Sequence, residues 1–185
     1  AERIFDTVGK IETGNGVVTV SLSNINPQHV ITYTLDGTAP TANSTKYEGS
    51  VEIKETGTLK AANFLNGKQE GGIWEVYVER HKALSASINI TEEPAEKYGK
   101  GGREALINGV LGSDRRFSDR EWLGFNGVNF EALIDLGKPE QIGEVSCRFF
   151  QDNNAWIYLP RGMKIYTSVD GKTYQEAGVT DSIVS

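Results

Sequence analysis

The sequence has little cysteine, little positive charge and no long apolar run. Its one cysteine, Cys147, cannot form a disulfide within the chain; a chain of 185 residues buries enough apolar surface without one, so this absence says little about the compartment. The 19 Lys and Arg against 25 Asp and Glu, a net charge of −6, argue against nucleic-acid binding, which needs clustered cationic side chains. The longest apolar run, residues 155–159, is far shorter than the roughly 20 residues that cross a bilayer. The sequence predicts neither a membrane span nor a signal peptide.

Common catalytic and nucleotide-binding motifs are absent from the sequence as well. It contains no glycine-rich phosphate loop, no dinucleotide-binding motif and no cluster of His and Cys with metal-ligand spacing. His29 and His81 lie far along the chain from Cys147, for which a predicted strand favours core packing over a role as nucleophile. Adjacent acids such as those at 92–93 are expected on a solvated loop rather than across a glycosidase cleft.

Glycine is abundant instead, and the apolar pattern is that of short strands. An interior glycine destabilises a helix by about 1 kcal/mol relative to alanine, and the chain has 21 glycines. No stretch carries the apolar stripe of a three-turn helix. Alternation of apolar and polar residues predicts strands at 18–22, 31–35, 51–53, 57–65, 73–79, 84–90, 131–136, 142–151 and 163–169. A short helical turn is expected at 103–107. We therefore predict an all-β chain.

The strand pattern divides close to residue 82. The strand predicted at 73–79 is followed by the basic patch Arg80-His81-Lys82, and a new alternating run begins after Ala83. The short strands before this point are typical of a small immunoglobulin- or fibronectin-like sandwich. We predict two domains, residues 1–82 and residues 83–185.

Two polar segments that contain an aromatic residue, Asp114–Trp122 and Asp152–Trp156, are candidates for carbohydrate binding. Sugar rings present apolar C–H faces and hydroxyl edges, so their sites combine an exposed aromatic with Arg, Asn and Asp. Large aromatics near strand ends more often cap a sandwich core, and core packing is the favoured alternative for both tryptophans. The oxygen-rich segment Asn108–Asp114 has the composition of a calcium loop, with an ordinary Asx-turn loop as the favoured alternative.

Longer motifs in both halves resemble known families. The second half resembles a discoidin domain, the coagulation-factor C-type module that includes galactose-type carbohydrate-binding modules, at residues 105–109, 122–124, 134–139 and 163–174. The first half, at Ile31–Thr41 and Ser44–Gly49, resembles the C-terminal sandwich of bacterial chitobiases and β-N-acetylhexosaminidases. This order of modules is similar to the tail of many Bacteroidetes family-twenty glycoside hydrolases.

The resemblance implies a non-catalytic accessory region. In such enzymes the catalytic pair lies in an upstream TIM barrel, and this chain has none of the βα repeats of a barrel. This chain alone is therefore not expected to be an enzyme, whereas its parent is expected to be a β-N-acetylhexosaminidase. Implied partners are the upstream catalytic domain and glycans containing galactose or N-acetylhexosamine, in a secreted or periplasmic location. The alternative is that both modules only stabilise the barrel, without binding glycan.

The discoidin resemblance also assigns roles to individual residues. It implies that Trp122 is a structural core residue and that a bound Ca²⁺ would use the region of Asn108 and Ser113. The implied glycan ligands are Arg115 or Arg116, Asn153 and Trp156. Because the discoidin pattern normally continues beyond the strand near Tyr174, the second domain is expected to be a jelly-roll sandwich that is incomplete at its C-terminus.

Overall fold

The computed structural model describes residues 6–183, which form short antiparallel strands. The strands are β1 (Val8–Gly14), β2 (Val17–Ser23), β3 (Val30–Thr34), β4 (Thr45–Lys46), β5 (Val51–Ile53), β6 (Gly57–Leu65), β7 (Lys68–Val78), β8 (Ser87–Ile90), β9 (Ala132–Asp135), β10 (Met163–Thr167) and β11 (Gln175–Thr180). Single 3-10 turns occur at Lys82–Ser85, Glu96–Tyr98, Arg103–Leu106 and Asn153–Ala155. No helix within this range reaches seven residues, which confirms the all-β prediction. None is long and apolar enough to cross a membrane.

The first part of the chain is a sandwich of two sheets, ordered β1-β2-β5 and β4-β3-β6-β7. Strand β2 shows why the sandwich forms, because Val18, Val20 and Leu22 are buried while the residues between them are half-exposed. Leu59 and Val76 from the second sheet join the same core. Burial of each such side chain stabilises the fold by about 1.5–3 kcal/mol relative to exposure.

Two Asn-Gly pairs set the hairpins of this sandwich. Asn15 and Gly16 connect β1 to β2, and Asn66 and Gly67 connect β6 to β7. All four residues have positive φ, between 51° and 80°, as a two-residue type I′ turn requires. The paired ends of the strands are therefore brought directly opposite each other, as in the Leu65–Lys68 pair.

The chain that follows β7 completes the core of the first sandwich. Leu84 and Val110 lie in the same buried cluster as the sandwich side chains. Val78 forms an isolated antiparallel bridge with Val110, and the Glu79 amide donates to the carbonyl of Gly109 at 2.8 Å. Apolar side chains from both sides of the predicted domain boundary thus share one core.

Polar contacts reinforce this junction. The Arg80 guanidinium donates to the carbonyls of Ile53 at 3.0 Å and Gly16 at 3.1 Å. The Thr13 hydroxyl donates to the carbonyl of Asn108 at 3.0 Å. These bonds fix the end of β7 and the 108–110 segment against the first sandwich.

The remainder of the second part forms two separate two-stranded sheets, β8-β9 and β10-β11. Between residues 111 and 183 the structure buries no hydrophobic residue. The strand predicted at 142–151 is wrong, because no neighbouring strand provides a ladder for this segment. The core position predicted for Cys147 is also wrong, since the residue is exposed and no core forms around it.

Candidate functional site

A tight loop closed by Asp152 and Ile157 presents Trp156. The Asp152 amide donates to the carbonyl of Ile157 at 3.1 Å, and the Ile157 amide donates back to the carbonyl of Asp152 at 3.0 Å. One carboxylate oxygen of Asp152 also accepts from the amides of Asn154 at 3.0 Å and Ala155 at 3.3 Å. The loop is therefore fixed by its own backbone and by an N-cap on its 3-10 turn.

Trp156 itself has an unusual backbone and an exposed ring. Its φ of 60° and ψ of 32° are left-handed, a conformation that costs a residue with a side chain about 1–2 kcal/mol. The residue is 82% exposed, so the core packing favoured for it from sequence is wrong. Backbone strain of this kind concentrates at binding and active sites. Asn153, exposed in the same loop, accepts from the Gln151 side-chain amide at 3.3 Å through its Oδ1.

The neighbouring loop, residues 113–122, is held by Ser113 and Asp119. The Ser113 amide donates to Asp119 Oδ2 at 3.0 Å, and its carbonyl accepts from the indole Nε1 of Trp122 at 3.0 Å. The Arg115 amide donates to the Ser113 hydroxyl at 3.1 Å, and Arg116 forms an ion pair with Asp119 at 3.3 Å. Both arginine side chains remain exposed.

The bases of these two loops meet through aromatic rings and Arg148. The ring of Phe150 lies 6.2 Å from that of Phe117 and 5.4 Å from that of Trp122. The Arg148 guanidinium lies 5.3 Å from the Trp122 ring centroid and forms an ion pair with Asp114. A half-buried Trp122 that joins the loops fits the structural role implied for it.

The four predicted glycan ligands fall into two groups. Arg115 and Arg116 extend from one loop, and Asn153 and Trp156 extend from the other. Within residues 6–183, no hydrogen bond, ion pair or ring contact links the first group to the second. The common base positions both groups, and a ligand that touches both would have to bridge them.

In the first sandwich, the chain after β3 forms a compact turn around Asp36. One carboxylate oxygen of Asp36 accepts from the Thr38 hydroxyl at 2.6 Å and from its amide at 3.0 Å, and these bonds lower the pKa of Asp36. Gly37 supplies a φ of 76°. The buried Thr32 hydroxyl donates to the carbonyl of Thr41 at 2.8 Å. Thr32, Asp36, Gly37 and Thr38 of the motif at Ile31–Thr41 therefore each make a contact or a backbone conformation that this turn uses.

Residues 11–74 match the family model of the chitobiase/beta-hexosaminidase C-terminal domain. The match runs from within β1 to within β7 and confirms the resemblance predicted for the first half. No curated protein matches the chain. The match ends before the loops that carry Arg115, Arg116, Asn153 and Trp156.

Outside the matched residues 11–74, the two predicted calcium ligands make internal hydrogen bonds. Asn108 Oδ1 accepts from the Val110 amide at 2.9 Å, as in an Asx turn, and the Ser113 carbonyl accepts from Trp122. Throughout residues 6–183, no group of three or more His, Cys, Asp or Glu is placed to hold a metal ion. Calcium binding at Asn108 and Ser113 stays a prediction.

Sequence reasoning missed Arg148, which lies in the segment taken for a strand. Besides its contacts with Trp122 and Asp114, it donates to the carbonyl of Gly112 at 3.1 Å. Its sequence neighbours are apolar or small and gave no sign of this role. Only the packing of the two loops shows that Arg148 joins them.

Proposed function

We propose that the chain is a non-catalytic accessory region of a β-N-acetylhexosaminidase, and that its second part binds glycans containing galactose or N-acetylhexosamine. The match of residues 11–74 to a C-terminal domain of such enzymes supports the accessory role. The discoidin-like motifs after residue 83 support carbohydrate as the ligand class. The catalytic barrel would belong to the upstream part of the parent protein.

Exposure of Trp156 is the observation that carries the glycan-binding part of the proposal. Trp156 is 82% exposed on a loop fixed by Asp152, so its ring can offer an apolar face to the C–H side of a pyranose. The loop backbone loses little conformational freedom on binding, because its hydrogen bonds already order it. The Asn153 amide and the guanidinium of Arg115 or Arg116 would supply hydrogen bonds to sugar hydroxyl groups.

Calorimetric titration with galactose, N-acetylgalactosamine, N-acetylglucosamine and chitobiose tests this proposal. We expect at least one dissociation constant between millimolar and micromolar, or about 4 to 8 kcal/mol of binding free energy. Trp156→Ala should weaken that affinity at least tenfold. Tyr166→Ala is the matched control, because Tyr166 is a half-exposed aromatic on β10.

Two results would contradict the proposal in different ways. Absence of heat with all four sugars, on a folded sample of the chain, would reject glycan binding. Equal affinities of the Trp156→Ala and Tyr166→Ala variants would reject Trp156 as the contact residue.

A second candidate role is structural packing against the catalytic domain. Leu133, Ile142 and Val145 are exposed in the second part and supply apolar surface that packing against the catalytic domain would cover. In the full-length protein, Val145→Lys would then lower the melting temperature of the catalytic domain without changing the Michaelis constant. An unchanged melting temperature would count against this role.

A further inference from the structure

A large open groove lies between the first sandwich and the loop at 112–121. Its volume is about 1590 Å³, above the roughly 300–1,000 Å³ of sites for small molecules. One wall consists of β1 and β7, which are edge strands because each pairs with a neighbour on one side only. The other wall consists of loop residues and Arg148.

Charges along the groove are balanced and locally paired. Five cationic and six anionic side chains line it. Ion pairs on both walls account for most of them, including Lys10–Glu12 at 2.6 Å, Lys60–Glu75 at 3.3 Å and Arg116–Asp119 at 3.3 Å. Phosphates and acidic peptides need an excess of cations, which the groove lacks. Paired charges instead offer donors and acceptors side by side, as the hydroxyl groups of an uncharged ligand require.

Two aromatic residues of β7 line the same groove, of which Trp74 is half-buried against the sandwich core and Tyr77 is exposed. Trp74 lies against Gly9 of β1, where a Cβ atom would overlap its ring. The absence of a side chain at Gly9 therefore lets the indole lie across the edge strand. Tyr77 is 42% exposed and also lines the groove. An exposed ring can pack against the apolar C–H face of a sugar, and the neighbouring polar groups can bind its hydroxyl groups.

We propose that this groove is a second carbohydrate-binding site, which takes an uncharged oligosaccharide of several sugar residues. The inference rests on the proposed function of the chain in glycan binding, but it uses residues separate from the Trp156 loop. The size of the groove favours an oligomer over a monosaccharide. Residues of the first sandwich and of the second part both line the groove, so neither part alone contains the complete site.

The test is calorimetric titration of the full chain with the β-1,4-linked hexasaccharide of N-acetylglucosamine. We expect the Trp156→Ala variant to keep one site for this hexasaccharide. The affinity of that site for monomeric N-acetylglucosamine should be at least tenfold lower than its affinity for the hexasaccharide. Adding Tyr77→Ala to that variant should weaken the remaining affinity at least tenfold. Adding Tyr166→Ala instead should change it less than twofold.

Glu75→Ala provides a second groove variant in case Tyr77→Ala affects folding, because the Glu75 side chain is 62% exposed. It should also weaken the hexasaccharide affinity of the Trp156→Ala variant. If neither groove substitution changes that affinity, or if Trp156→Ala alone abolishes hexasaccharide binding, the groove site is rejected and the proposed function stands. If the unaltered chain binds no sugar, both are rejected.

Discussion

The first sandwich and the segment from 111 to 183 have similar alternating sequences but very different burial. In the sandwich, two facing sheets bury Val18, Val20 and Leu59 almost completely. In the later segment, described throughout its length, Leu133 and Val179 lie in strands yet are about half exposed. The difference shows that alternation directs side chains to one face, whereas burial requires a second layer to cover that face.

The largest expected effect comes from removing a side chain from the covered face. Leu59 is 1% exposed, so Leu59→Ala leaves a cavity in the sandwich and should lower the free energy of unfolding by about 4 kcal/mol. Leu133→Ala is the matched control at a position that is 49% exposed, with an expected change below about 0.5 kcal/mol. Urea unfolding measures both, and similar losses would show that the later segment has a core of its own.

A substitution at Leu84 sharpens the comparison at the junction. Leu84 follows the predicted domain boundary but belongs to the sandwich core. Leu84→Ala should therefore destabilise the sandwich by about 3 kcal/mol. Leu106→Ala, in the partly exposed 3-10 turn nearby, should cost much less. If the Leu84→Ala variant had the same urea midpoint of unfolding as the unaltered chain, Leu84 would not contribute to the sandwich core.

Gly109 tests the same junction through the backbone. It has a φ of 76°, and a Cβ atom there would lie 2.7 Å from the Glu79 carbonyl oxygen and 2.9 Å from Leu84. Gly109→Ala should lower the free energy of unfolding by about 2 kcal/mol. Gly127 has a φ of 67°, and a Cβ atom there would meet no other atom within 4 Å, so Gly127→Ala should cost about 1 kcal/mol or less. Thermal unfolding of both variants separates contact at the junction from backbone strain alone.

The smallest expected effect concerns a turn in the later segment, at Asp170. Its carboxylate accepts from the amides of Lys172 and Thr173, each at 2.8 Å, and from the Ser168 hydroxyl at 2.9 Å. These bonds, led by that from Thr173, lower the pKa of Asp170 from 3.8 to about 2. Asp170 binds a proton less readily in the folded turn than in the unfolded chain. The ionised carboxylate therefore stabilises the turn above about pH 4, and this stabilisation is lost as the pH falls towards 2.

Amide chemical shifts measure this titration directly. The Lys172 and Thr173 amides should titrate with a midpoint near pH 2 in the unaltered chain. Asp170→Asn should remove that titration, while Asp181→Asn should leave it in place. A midpoint near 4 would show that the turn does not hold the carboxylate.

Local signals predicted the first sandwich well, because its strands are bounded by turn residues and covered by a second sheet. Strands were correctly predicted at 51–53 and 57–65. Strand β1 was missed, although Asn15-Gly16 beside an alternating run is a hairpin signal. Segment 142–151 was mispredicted because its alternation is strand-like but a strand also needs a partner, which its own sequence does not encode.

Prediction of the candidate site was limited in a different way. The composition of residues 152–156 correctly indicated a polar loop with an aromatic residue, but it did not indicate which way Trp156 points. Exposure of that ring depends on the hydrogen bonds between Asp152 and Ile157. The groove was not predicted at all, since tertiary packing alone brings Trp74 and Arg116, which are far apart in sequence, to its lining.

The Val78–Val110 bridge also determines how the chain would respond to a pulling force. A load applied at the two ends passes through this bridge and the Glu79–Gly109 hydrogen bond, so residues 79–109 are shielded until both contacts break. The full extension of this stretch, roughly 100 Å, would follow only when the ladder between β8 and β9 opens as well. Stretching a single molecule should therefore show this junction as a distinct step in length.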